Sequence, residues 1–144
     1  MDVIKKDVSI KLHTIIDDQG EKEMSIIQQK GLYYRKGELE VLTFTDKVEG
    51  IGEIRNHITI TPDKVTVKRS GAVSMNQQFV EGKKSECLYR HPYGMFHMEL
   101  YTEHISSEYC PDQNNTEIVI EYDATINQQE PRSHHLTLTI TEEK

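Results

Sequence analysis

Arg69 is the residue of this chain whose type and position most suggest chemistry. It continues the alternation Val65, Val67, Arg69 on the apolar face of a short segment that ends at Gly71. A charge on a core-facing position is costly unless it is paired or hydrogen-bonded. Either the end of that segment emerges into water, or the interior holds a polar site. The same alternation puts Gln77 on an inward face beside Met75 and Phe79. It puts Tyr122 between Ile120 and Ala124, and His134 on the face of Leu136. In Cys87-Leu88-Tyr89-Arg90, Cys87 and Tyr89 are taken as the inward pair. An arginine fork among tyrosine hydroxyls suits a carboxylate or a phosphate. Arg69, Tyr89 and Tyr122 would then be polar anchors, with Gln77 and His134 beside them. Met75, Phe79 and Met98 would be apolar walls. The competing expectation is a structural plug, in which strand-end carbonyls or a Glu satisfy Arg69 at one mouth of a barrel.

Other constellations are weaker. His97 and Glu99 lie two apart, so on a strand they share a face. With a third ligand they would hold a metal, or they would act as a base and its orienting group. Solvated strand faces routinely carry such pairs. His134 and His135 are adjacent, point to opposite faces and do not chelate one ion. His13, His57 and His91 have no partner at an informative spacing. There is no GxSxG elbow, no P-loop and no GxGxxG, so no catalytic residue and no cofactor is assigned. Lys83, Lys84, Lys68 and Arg55 suggest an outward basic spot, but without the interleaved aromatics of a single-strand nucleic-acid platform.

The elements that must position these residues are strands. Val8, Ile10, Leu12 and Ile16 alternate with Ser9, Lys11 and His13; Leu136, Leu138 and Ile140 alternate with threonines. Segments around 64–70, 72–80 and 116–127 show the same period of two, which is the signature of half-buried strands. In 94–109, Phe96, Met98, Leu100 and Thr102 look core-facing. Turn residues such as Asp17-Asp18-Gln19-Gly20, Thr61-Pro62-Asp63-Lys64 and His91-Pro92-Tyr93-Gly94 separate about ten strands, near 2–16, 21–35, 38–46, 51–61, 64–70, 72–80, 84–91, 94–109, 116–127 and 132–142. Residues 24–32 are the best helical candidate, although Gly31 and the Ile26-Ile27 pair suit a strand or bulge as well. A meander of this many strands must fold over itself to bury its apolar face, and closure removes exposed edges. The expected fold is all-β: one antiparallel meander barrel over residues 1–144, with a sandwich as the alternative.

Composition narrows the functions. At 144 residues with 35% hydrophobic content, one core is expected. The net charge of −7 argues against broad nucleic-acid binding. The charge is uneven: residues 53–97 carry seven bases against four acids, and residues 98–144 carry ten acids against two bases. A basic centre would favour an anionic ligand; more simply, basic strands lie beside acidic ones. No apolar run approaches the ~20 residues of a membrane helix, and the N-terminal residues have no apolar signal-peptide centre. A cytoplasmic location with no membrane partner is expected. Cys87 and Cys110 fit no disulfide framework or zinc pattern and read as free thiols.

The run Val65-Thr66-Val67-Lys68-Arg69-Ser70-Gly71 is followed by Phe79, Gly82, Tyr89 and the Tyr93-Gly94 turn. The Tyr122 strand and the closing Leu136-Thr137-Leu138 strand come next. This succession, across essentially the whole chain, resembles the YwiB family of uncharacterised bacterial calycin-like barrels. The resemblance implies a lipocalin-like antiparallel barrel of eight to ten strands, cytoplasmic and of unknown function, and it supplies no catalytic residues. Calycins tend to pair an arginine with an N-terminal tryptophan at the closed barrel end. This chain has no Trp, so that plug does not carry over to Arg69.

Three functions follow in order of expectation. The first is interior binding of a small, anionic and partly apolar molecule. The second is a non-enzymatic interaction module, acting through the outer face or an edge as a homodimer or with a protein partner. The third is an enzyme or metal site at His97 and Glu99.

Overall fold

The computed structural model describes residues 3–143. The alternating segments form ten antiparallel strands: β1 (Ile4–Asp18), β2 (Glu21–Lys36), β3 (Leu39–Val48), β4 (Gly52–Thr61), β5 (Lys64–Gly71), β6 (Met75–Phe79), β7 (Lys84–His91), β8 (Gly94–Cys110), β9 (Asn115–Ile126) and β10 (Arg132–Glu142). The anticipated start of the first strand at residue 2 lies outside the described residues. The segment 24–32 is strand throughout, so its weak helical pattern is overridden by pairing with β1.

All ten strands belong to one sheet in the order β6-β5-β4-β3-β2-β1-β10-β9-β8-β7. Each strand pairs with its chain neighbour except β6 with β7, and β1 with β10 joins the two arms. The sheet curls until its two ends meet. Ser74 and Arg90 form an isolated bridge there, exchanging backbone hydrogen bonds of 2.9 and 2.8 Å. The Ser85 hydroxyl adds a 2.7 Å bond to the Gln78 carbonyl. The result is a nearly closed barrel whose seam runs between β6 and β7.

The inward rows fill one half of the barrel with aliphatic side chains. Val8, Ile10, Leu42, Ile58, Phe79, Leu100, Ile118 and Ile120 are essentially inaccessible to water. Burying each such side chain stabilises the fold by about 1.5–3 kcal/mol. Two local irregularities matter. In β8 the register slips between Thr102 and His104, so Ile105 rather than His104 turns toward the core. In β2, Gly31 sits where β2, β1 and β3 meet. A Cβ there would lie 2.4 Å from the Thr43 carbonyl oxygen and 2.7 Å from Ile10. Only a residue without a side chain fits that crossing. Beyond the Leu32–Thr43 pair, β2 parts from β3 and continues with β1 as a long hairpin arm.

Candidate functional site

The other half of the interior is polar. It lies toward the end of the barrel where the turns after β1, β3, β5, β7 and β9 gather. Arg69 is on the inward row of β5, one row above the apolar Val67 and flanked by Asn56 on β4 and Met75 on β6. Gly71 then ends the strand with φ +100°, a conformation that favours glycine. Arg69 is half-buried. Its Nε donates a 3.1 Å hydrogen bond to the Asn56 side-chain oxygen, and Asn56 itself is only 4% exposed. Among the described residues Arg69 forms no ion pair with a carboxylate. The inward carboxylate of β3, Asp46, instead accepts a 3.2 Å bond from Gln29 across the split between β2 and β3. Of the partners expected for a structural plug, strand-end carbonyls or a Glu, no carboxylate pairs with this guanidinium among the described residues.

Opposite Arg69, the structure brings together most of the residues singled out in the sequence. Tyr122 packs on Phe79 with ring centroids 4.8 Å apart, and its other neighbour His134 stacks on it at 4.7 Å. The Gln77 amide and the Cys87 thiol both contact the Met98 sulfur, at 4.0 and 3.9 Å. Tyr89 lies higher in the mouth, edge-on to Phe96 at 6.1 Å and beside His91 at 5.7 Å. Met75 and Phe79 are buried, Phe79 completely, so Phe79 is the floor of the polar half rather than an accessible wall. Tyr89, Met98 and Arg69 are half-buried and reach the opening.

Burial sets the charge state of this cluster. It pushes the Tyr122 hydroxyl up to about 12, with the Arg69 guanidinium opposing and Cys87 adding to the rise. It raises the Cys87 thiol as well. It lowers His134, with Arg132 acting the same way and Asp123 opposing. Near neutral pH the tyrosine and the thiol keep their protons and the imidazole is neutral. Arg69 is left as the charged group among them. Both ring nitrogens of His134 are buried without a hydrogen-bond partner among the described residues, as is the Thr102 hydroxyl. Buried polar atoms are normally satisfied, so these three set the cluster apart from the aliphatic half of the barrel.

Asn56 and Thr102 were not anticipated as members of the site. Asn56 stands in the row Ile54, Asn56, Ile58, Ile60, and a lone polar residue in such a row is the signal that would have found it. His97 and Glu99 do not join the cluster. His97 faces Glu86 at 3.7 Å on the outer side, and Glu99 is cross-strand from Glu86. No group of three or more His, Cys, Asp or Glu able to hold a metal occurs among the described residues. Cys87 and Cys110 are both free, Cys87 at the seam and Cys110 at the far end of β8. The basic spot also divides: Lys84 is opposite Tyr101 on β8, whereas Lys68 is opposite His57 on β4.

Ten antiparallel strands rolled into a nearly closed tube define a small β-barrel protein. Its family is a matter of similarity across almost the whole length. Residues 10–138 match the family described as Domain of unknown function (DUF1934), and the chain belongs to that family. It is 29% identical over 138 residues to the "Uncharacterized beta-barrel protein YwiB" of Bacillus subtilis (strain 168), covering 94% of this chain and 95% of that protein. The crystal structure of the YwiB protein from Bacillus subtilis superimposes with a TM-score of 0.83 at 26% identity, covering 97% of this chain and 94% of that one. The family resemblance expected from the sequence is thereby shown, and with it the all-β barrel.

Proposed function

We propose that the polar mouth binds a small molecule with one anionic group and an apolar body. The observation that carries this reading is Arg69: a half-buried guanidinium with one side-chain hydrogen bond and no carboxylate partner among the described residues. An anion would supply the missing partner, in the fork geometry that arginine offers a carboxylate or phosphate. Tyr122, kept protonated by its burial, is suited to donate to the same anion. Met98, Tyr89 and Phe96 would enclose the apolar body. Such a use of the interior is lipocalin-like, and the two free thiols suit a reducing, cytoplasmic setting.

The test compares octanoate with octanol by calorimetry on the wild type and on Arg69→Met. Octanoate is expected to bind the wild type saturably and at least tenfold more tightly than octanol, and the variant to lose that preference while keeping its fold. Equal binding of both probes, or an unchanged preference in the variant, would refute the reading.

A second reading rests on a different observation. Among the described residues the outer edge of β2 from Glu21 to Lys30 has no strand partner, and this arm carries Met24 and Ile26 at 66% and 55% exposure. Open edges of this kind pair with other strands, so this arm would serve a homodimer or a protein partner. A monomeric solution mass across the micromolar range would count against the homodimer.

A further inference from the structure

The outer face of β2 to β5 carries a separate feature that the mouth does not use. Strand register lays its side chains out in two rows. The first runs Lys68, His57, Thr43, Leu32 across β5, β4, β3 and β2. The second runs Ser70, Arg55, Thr45, and ends at Lys30 where β2 swings away. Directly opposed residues on one face of a sheet have Cβ atoms about 5 Å apart. Lys68, Arg55 and Lys30 therefore ring Thr43, Thr45 and Ser70 within reach of one small ligand.

The parting of β2 from β3 makes this face concave. Because Gly31 has no side chain, β2 crosses tightly over Thr43 and then diverges. The depression left behind measures about 670 Å³ and is lined by Lys30, Leu32, Thr45, Arg55, His57 and Lys68 among others, with no Asp or Glu in its lining. That is unexpected in a chain of net charge −7. Arg55, His57 and Lys68 make no ion pair among the described residues. Lys30 has only a long one, 3.8 Å to Glu143, from a side chain that is 83% exposed. The outward acid one row further on, Glu53, is cross-strand from Lys47. A solvated basic surface would ordinarily be convex and interspersed with acids. Here the cations converge on hydroxyls in a hollow, beside an apolar wall at Leu32.

We propose that this depression binds a phosphate-bearing small molecule. Its phosphate would lie between Arg55 and Lys68, taking hydrogen bonds from Ser70 and Thr45, and its organic part would rest along Leu32 and the bare backbone at Gly31. Arginine supplies the bidentate fork and lysine the point charge that phosphate recognition uses. The site is independent of Arg69, which belongs to the opposite face of β5.

Amide chemical shifts during titration with phenyl phosphate test this, with phenol and inorganic phosphate as partial probes. Saturable shifts at Gly31, Thr43, Thr45 and Arg55 are expected, with phenyl phosphate binding at least fivefold more tightly than either partial probe. The double variant R55Q/K68Q should lose tenfold or more in affinity, and each single variant an intermediate amount, so that a misfolded double variant does not remove the test. K83Q/K84Q, on the other basic spot, should stay within twofold of the wild type. Shifts that spread over every lysine without saturating would overturn the proposal, as would R55Q/K68Q binding like the wild type. A single-stranded oligonucleotide that shifts the same face more tightly than phenyl phosphate at equal phosphate concentration, and is released steeply by salt, would overturn it in favour of nucleic acid.

Discussion

Among the described residues, Arg69 and His134 present opposite situations on the inward face: a cation with one side-chain partner, and a neutral ring whose two nitrogens have none. For His134 the consequence is a pH dependence of stability. Its value in the folded protein is depressed by burial first and by Arg132 second. Below the ordinary histidine value of ~6.5, the unfolded chain takes up a proton that the folded chain resists. The unfolded state then binds more protons, so stability falls as pH drops through the window between the ordinary value and the depressed one. His134→Phe keeps the stack on Tyr122 and removes both unsatisfied nitrogens. It is expected to stabilise the protein by about 1–3 kcal/mol at neutral pH and to flatten thermal stability between pH 7 and 5. Calorimetric scans of both proteins across that range check this; a variant less stable than the wild type at every pH would mean that the imidazole is satisfied in solution.

At the scale of the elements, the split between β2 and β3 shapes the open β2 edge and the outer basic depression. It frees one edge of β2, hollows the outer basic face and is spanned on the inside by the Gln29–Asp46 hydrogen bond. Gly31 is its pivot. Gly31→Ala places a methyl against a backbone carbonyl that cannot rotate away, so denaturant unfolding should show a loss of about 1–3 kcal/mol. An unchanged midpoint would show that the crossing is looser than described. The strands themselves were legible because alternation is local: Val65, Val67, Arg69 and Met75, Gln77, Phe79 announce their faces within a few residues. The inward direction of Arg69, Gln77, Tyr122 and His134 came from that same rule. What alternation does not reveal is which strand sits beside which, and by what offset. Asn56 as the partner of Arg69, the parting of β2 from β3, and the grouping of Lys68 with His57 rather than with Lys84 all depend on register between strands, so they were not readable from the chain. The slip after Thr102 is a bulge with no Gly or Pro to mark it.

The whole molecule is a tube joined unevenly around its circumference. β1 is paired along most of its length with both β2 and β10, whereas the two ends of the sheet meet through the Ser74–Arg90 bridge and a few side-chain and turn contacts. Regions with few long-range hydrogen bonds open at lower free energy. Amides of β6, of β7 and of the bridge residue Ser74 should exchange with deuterium at least tenfold faster than those of Leu12, Ile120 and Leu138. Uniform protection around the barrel would contradict a seam. Such a seam beside Cys87 and Met98 would also give the polar mouth room to admit a ligand. Ligand binding at Arg69 is tested by native mass spectrometry of the protein as purified, run in parallel on Arg69→Met. The wild-type protein is expected to carry a small anionic molecule that the folded variant lacks. A wild type and a variant that are equally bare, or that carry the same molecule to the same extent, would contradict it.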